Sequence, residues 1–130
     1  MNETTSKSAD ILVVDDNEDN IYLVRYLLER ENYNVIEALS ATIAIELVKE
    51  NPVDLILMDI QMPGMDGVEA TKIIKNFAPQ ITIVALTARL MLEDKNEMAL
   101  AGCDGIIEKP ILDTAQFYQQ IRDYLAADTT

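Results

Sequence analysis

Short, unbroken apolar runs alternate along this chain with longer stretches in which apolar residues recur every three or four positions. Ile-Leu-Val-Val at 11–14, Leu-Ile-Leu-Met at 55–58 and the run at 81–86 lack the polar alternation of a half-exposed strand. That is the mark of strands buried on both faces of a sheet. Shorter runs at 35–38 and 105–108 predict two more strands. Residues 17–32 carry Leu23, Val24, Leu27 and Leu28 on one helical stripe. Ser40 is placed to cap a second helix running to Asn51-Pro52, with Ile43, Ile45, Leu47 and Val48 facing inward. Asp66 or Gly67 opens a third helix through Asn76, with Val68, Ile73 and Ile74 apolar. Residues 92–101 form a fourth that stops at Gly102, and Asp113 or Thr114 begins a fifth through Ala126, with Phe117, Ile121 and Leu125 at i, i+4 and i+8. Five βα units in succession predict an α/β, doubly wound (βα)5 architecture: a five-stranded parallel sheet with helices on both faces, a three-layer sandwich.

A parallel sheet brings the carboxyl ends of its strands to one edge, where loops leave a crevice that the helices do not fill. Asp15 and Asp16 follow the first strand, Asp59 the third, Thr87 the fourth and Lys109 the fifth. Taken singly, each reads as a turn residue, a helix cap or a solvated charge. Together they place three carboxylates, a hydroxyl and an ammonium at one edge. Carboxylates about 4 Å apart repel by roughly 1 kcal/mol per pair in water and by ~4 kcal/mol at an effective dielectric of 20. A hard divalent cation offsets that cost, and carboxylates, a backbone carbonyl and waters form the oxygen set that Mg²⁺ prefers. With Lys109 and Thr87 beside one nucleophilic carboxylate, the chemistry such a site suits is phosphoryl transfer, Asp59 forming an aspartyl phosphate.

Composition narrows the partners. The chain has 130 residues, enough for one domain with a single core and no second one. Ten Lys and Arg against 23 Asp and Glu give a net charge of −13, which argues against direct nucleic-acid binding and against anionic membrane surfaces. The start, MNETTSKSAD, lacks the apolar core of a signal peptide, and no apolar run reaches membrane-spanning length. A cytoplasmic protein without membrane insertion is expected. The single cysteine, Cys103, permits no internal disulfide, and the absence of histidine removes Cys/His zinc sites and the commonest general base. Cys103, within Ala-Gly-Cys-Asp-Gly, reads as a half-buried, inert small residue.

The segments VVDDNEDN, LILMDIQMPGMDG, IVALTA and GCDGIIEKPI, in this order and spacing, resemble the receiver domain of two-component response regulators over nearly the whole chain. The resemblance implies a flavodoxin-like fold and a single-domain, chemotaxis-regulator-like phosphoprotein. By position, Asp59 is the implied phosphoacceptor, Asp16 and Asp59 are Mg²⁺ ligands, and Asp15 is a ligand acting through water. The Gln61 backbone carbonyl is the remaining implied protein ligand. Thr87, the Ala88 backbone N–H and Lys109 are the implied phosphoryl-oxygen contacts, and a cis Lys109-Pro110 peptide is implied as well. One position departs from the pattern: Ile106 stands where relatives often carry a Tyr or Phe that follows the Thr hydroxyl inward. Isoleucine has no ring and is stiff at χ1, so the expected switch is a Thr87-driven shift of residues 88–92, with Ile106 packing behind it. Gln61 and Arg89 are the positions that would tune phosphoryl lifetime.

The implied partners are a histidine kinase or histidine phosphotransfer protein and a downstream protein target. The protein is expected to be a monomer or a weak dimer. Asn17, Asn20 and Ile21 at the site mouth are candidate contacts for the phosphodonor, with core packing the alternative for Ile21, while Tyr22 and Tyr26 are expected to be exposed. Leu90 and Met91 belong to a second candidate surface, made by the fourth helix, fifth strand and last helix. Domain organisation is read as a lead-in at 1–9, a receiver at 10–127 and a tail at 128–130. A free-standing protein is expected over a receiver cut from a hybrid histidine kinase. Three other readings compete. A haloacid-dehalogenase-type hydrolase needs a second Asp where Gln61 stands, and a flavin carrier's phosphate would be repelled by Asp15-Asp16-Asn17-Glu18. An unphosphorylated interaction scaffold on the same fold is supported only by Ile106.

Overall fold

The computed structural model describes residues 8–127. Ten elements follow one another: β1 (Asp10–Val14), α1 (Glu18–Glu29), β2 (Asn34–Ala38), α2 (Ala41–Glu50), β3 (Leu55–Met58), α3 (Gly67–Phe77), β4 (Thr82–Thr87), α4 (Leu92–Ala101), β5 (Gly105–Glu108) and α5 (Thr114–Ala127). Most of the expected lead-in, and the whole of the expected tail, lie outside the described residues. The strands form one parallel sheet in the order β2-β1-β3-β4-β5. Because β1 connects leftward to β2 and β3 lies on its right, the strand order reverses between β1 and β3, and the crevice of an open α/β sheet opens there.

The unbroken apolar runs are explained by two cores, one on each face. Leu12, Val14, Ile56, Met58, Ile83 and Ala85 pack toward α2, α3 and α4. Their alternates Ile11, Val13, Leu55, Leu57, Val84 and Leu86 pack toward α1 and α5, with Phe117 and Ile121 fully buried. The starts of α1, α2 and α3 are set by side-chain caps. Asn17 accepts from the Asp19 and Asn20 N–H groups, Ser40 from Ile43 and Asp66 from Glu69, each of the order of 1 kcal/mol. Among the described helices, none is long and apolar enough to cross a membrane.

Three expectations are corrected. Helix α1 ends at Glu29 rather than at 32, because the chain turns through Asn32 in the left-handed region at φ 66°. Leu23 is not on the core stripe but 48% exposed, the stripe being Ile21, Val24, Leu27 and Leu28. Ile43 also faces solvent, because the small residues Ala41 and Ala44, with Ile45 and Val48, take the inward positions of α2. Of the two readings of Ile21, the structure supports core packing.

The edge strand β5 is covered by α5. The Tyr124 hydroxyl sits where a Cβ on Gly105 would stand and hydrogen-bonds to the Ile106 backbone, which protects an edge that would otherwise be open to pairing. Gly67 has the tightest backbone contact: a Cβ there would press on the Asp59 carbonyl oxygen and lie 2.9 Å from the Ile60 Cα. Gly64, in contrast, has φ +76° and nothing within 4 Å of its would-be Cβ. In urea unfolding, Gly67→Ala should lose about 2–3 kcal/mol through this backbone clash, and Gly64→Ala about 1 kcal/mol through its left-handed φ alone. Equal losses would contradict the close approach.

Candidate functional site

Sheet register assembles the site. Val14 pairs with Met58, and Met58 with Ala85, so Asp15 and Asp59 emerge side by side from adjacent central strands. Thr87 pairs with Glu108 on the far side, and the Lys109 N–H donates to the Thr87 carbonyl at 3.0 Å. Backbone bonds from the Asp15 N–H to the Ala38 carbonyl and from the Asp59 N–H to the Val14 carbonyl fix both aspartates at the sheet edge.

Three of the strand-end carboxylates and Lys109 come together, and Thr87 joins them through its backbone bond to Lys109. One carboxylate oxygen from each of Asp15, Asp16 and Asp59 lies within 4.8 Å of the others. Asp15 and Asp59 are buried and Asp16 is exposed. The Lys109 ammonium lies 3.2 Å from Asp15 Oδ2 and 3.5 Å from Asp59 Oδ1. Two backbone donors help: the Asn17 N–H reaches Asp15 Oδ1 at 2.9 Å, and the Gln61 N–H reaches Asp59 Oδ1 at 3.2 Å. Thr87 is buried, with its Oγ accepting from the Arg89 N–H at 2.9 Å, while Ala88 and Gln61 are exposed. The Lys109-Pro110 peptide is cis.

Three carboxylates face one ammonium, so the cluster carries an excess of negative charge. Burial pushes the Asp59 carboxyl above its ordinary value near 3.8; Lys109 opposes the rise and Asp15 adds to it. A rim carboxylate, two buried carboxylates and nearby carbonyls are hard oxygen donors, and a divalent cation of the Mg²⁺ type would neutralise the charge that Lys109 leaves. The residues fit such an ion.

Ile106 is partly buried against the core on the α3 and α4 face. Cys103 is half-buried, its Sγ is 3.9 Å from Thr71 Oγ1, and burial pushes its thiol up, which fits an inert residue. Tyr22 and Tyr26 are exposed as expected, and so is Met91, whereas Leu90 is half-buried. Sequence reasoning missed two features. Leu23, turned outward, helps line an apolar cavity of about 300 Å³ with Asn20, Ala88, Lys109 and Ile111 at the site mouth. Asp94, in the first turn of α4, holds the Arg89 guanidinium at 3.2 Å. The border position of Leu23 on its stripe could have signalled the first, but the second depends on the path of a loop.

The raised Asp59 value has a definite sign for stability. A carboxyl whose folded value exceeds its unfolded one contributes fully below the unfolded value and loses that contribution as pH rises through the folded one. Asp59→Asn in metal-free buffer should therefore raise the thermal midpoint at pH 7 by several degrees, on the order of 1 kcal/mol. The gain should shrink as the pH falls toward the ordinary carboxylate range. No gain at pH 7 would contradict the electrostatic description.

Comparison with known proteins places this geometry. The sequence model described as the response regulator receiver domain matches residues 11–122. The polar-differentiation response regulator DivK of Brucella ovis is 38% identical over 117 residues, which cover 88% of this chain and 94% of that protein. A CheY-like receiver domain protein from Methanospirillum hungatei JF-1 superimposes with a TM-score of 0.89 at 26% identity, over 95% of this chain and 98% of that one. The receiver domain of sensor histidine kinase PA1611 from Pseudomonas aeruginosa PAO1 superimposes with a TM-score of 0.84 at 26% identity, over 92% of this chain and 99% of that one. Its structure has a magnesium ion coordinated in the active-site cleft. With five parallel strands in one sheet and an acidic cluster at their carboxyl edge, this chain belongs to the response regulator receiver domain family of two-component signalling proteins.

Proposed function

We propose that residues 10–127 act as a phosphorylated receiver in which Asp59 takes a phosphoryl group from a phosphohistidine of a kinase or phosphotransfer protein. The observation that carries this reading is the Asp59 carboxylate at the switch point of the sheet, 3.5 Å from Lys109 and grouped with Asp15 and Asp16. An Asp59 oxygen forms the new P–O bond as the P–N bond to the donor imidazole breaks, and the imidazole keeps the bonding pair. Asp16, Asp59 and the Gln61 carbonyl would hold Mg²⁺, with Asp15 acting through water. When bound, the ion supplies positive charge for the phosphoryl oxygens and relieves repulsion among the carboxylates. Lys109, the Thr87 hydroxyl and the Ala88 N–H are the protein's own contacts for those oxygens. Water later attacks the same phosphorus and returns the carboxylate and inorganic phosphate, so the protein assists both its own modification and its reversal.

The phosphodonor is assigned to the α1 side of the mouth. There Asn20, the exposed Leu23 and Ile111 border the apolar cavity that opens beside Asp15 and Lys109. Output is assigned to the face of α4, β5 and α5, where a groove of about 460 Å³ runs between Leu90, Lys95, Ile106 and Gln116. Phosphorylation biases an existing two-state equilibrium toward the form in which Thr87 and Lys109 grip the phosphate, and a target protein that prefers that form reads it.

Intact-mass measurement after incubation with acetyl phosphate tests the reading. Wild type should gain a single phosphate with Mg²⁺ and none with EDTA, and Asp59→Asn should gain none in either buffer. If wild type gains no mass, even with a phosphorylated histidine kinase as donor, the chain is an unphosphorylated scaffold on a receiver fold.

A further inference from the structure

Helix α4 is held more loosely than α3, which buries five of its eleven residues and is capped by the Asp66 side chain. Its N-cap, Met91, offers no side-chain hydrogen bond, and only Met98 and Ala101 of the helix are buried. Met91 and Leu92, at its start, are 65% and 74% exposed. Its first turn nevertheless carries Asp94, whose side chain is only 14% exposed and lies 3.2 Å from the Arg89 guanidinium. The same Arg89 donates its backbone N–H to Thr87 Oγ at 2.9 Å. One residue therefore bonds through its backbone to the strand-end hydroxyl and through its side chain to the first turn of the helix.

We infer that Asp94 is a positioning residue whose ion pair with Arg89 fastens the first turn of α4 in the unphosphorylated protein and is given up when Asp59 is phosphorylated. The inference rests on the phosphoacceptor reading and adds to it the link by which the site reaches α4. Two forces act on the pair. A phosphoryl group brings a charge of about −1.5 to −2, and a guanidinium binds phosphate oxygens in a bidentate fork that a single carboxylate oxygen does not match. Movement of the Thr87 hydroxyl toward the phosphate also removes the acceptor that fixes the Arg89 N–H. Lys109 already lies between Asp15 and Asp59, so Arg89, two residues beyond Thr87 in sequence, is a cation whose partner, Asp94, lies outside the cluster. Once Arg89 leaves, Asp94 loses its partner, and the first turn keeps neither a cap nor a buried side chain.

Amide hydrogen exchange of residues 92–97, read by mass spectrometry with and without acetyl phosphate and Mg²⁺, tests the link. A half-exposed pair is worth at most about 1 kcal/mol, so in the unphosphorylated protein Asp94→Asn and Arg89→Gln should each speed exchange there by up to about fivefold. The double variant should add nothing further, and Asp94→Glu should restore part of the protection. Phosphorylation should speed the same segment in wild type and leave Asp94→Asn unchanged, a difference that a merely structural role for Asp94 would not produce. Equal exchange in unphosphorylated wild type and Asp94→Asn overturns the inference. So does a phosphorylation response of the same size in both. A wild type that takes up no phosphate contradicts the phosphoacceptor reading itself, whereas phosphorylated protein with unchanged α4 exchange overturns the coupling alone.

Discussion

Two carboxylates that would separate in water are held together here by the sheet. Val14 and Met58 are registered partners on adjacent central strands, so the residues that follow them, Asp15 and Asp59, have no freedom to part. Both are buried, and Lys109 is drawn between them. The remaining imbalance, with Asp16 added at the rim, is carried by the stability of the two cores beneath. The proposed phosphoacceptor role would use this arrangement, because a carboxylate surrounded by excess negative charge favours binding of a divalent cation beside it.

The surroundings of the cluster divide into rigid and loose parts. On the rigid side stand the three buried central strands and the close approach of Gly67 to the Asp59 carbonyl. On the loose side lie the exposed Ala88 and Arg89 and the start of the fourth helix, which has no side-chain cap and exposes Met91 and Leu92. Such a division suits a switch. The chemistry needs fixed distances, whereas the output needs an element whose two positions differ by little free energy. Ile106 fits this division as a partly buried residue packed against the core on the α3 and α4 side.

Much of this was legible in the residues. Strands buried on both faces appear as unbroken apolar runs, and each ends where a polar side chain begins, so Asp15, Asp59, Thr87 and Lys109 could be placed at one edge before any coordinates. What failed was the choice of inward face on two helices. In α2 the helix packs through Ala41 and Ala44, so the larger Ile43 turns outward; a reading weighted by side-chain size misses this. In α1 the stripe runs through Ile21, Val24 and Leu28, which puts Leu23 about 100° away from Val24. The pairing of Arg89 with Asp94 was not legible at all, since it depends on how the four residues of loop and helix start between them fold back.

The central claim is that Asp59, and no other carboxylate of the cluster, carries the phosphoryl group. Borohydride reduction of the freshly phosphorylated protein followed by peptide mapping tests it directly, because an acyl phosphate is reduced to an alcohol and converts its aspartate to homoserine. The account predicts homoserine at position 59 alone, formed only when Mg²⁺ was present during phosphorylation. Homoserine at position 15 or 16 would contradict the assignment of the nucleophile, and unmodified aspartate at all three positions in protein that had gained phosphate would place the acceptor outside the site.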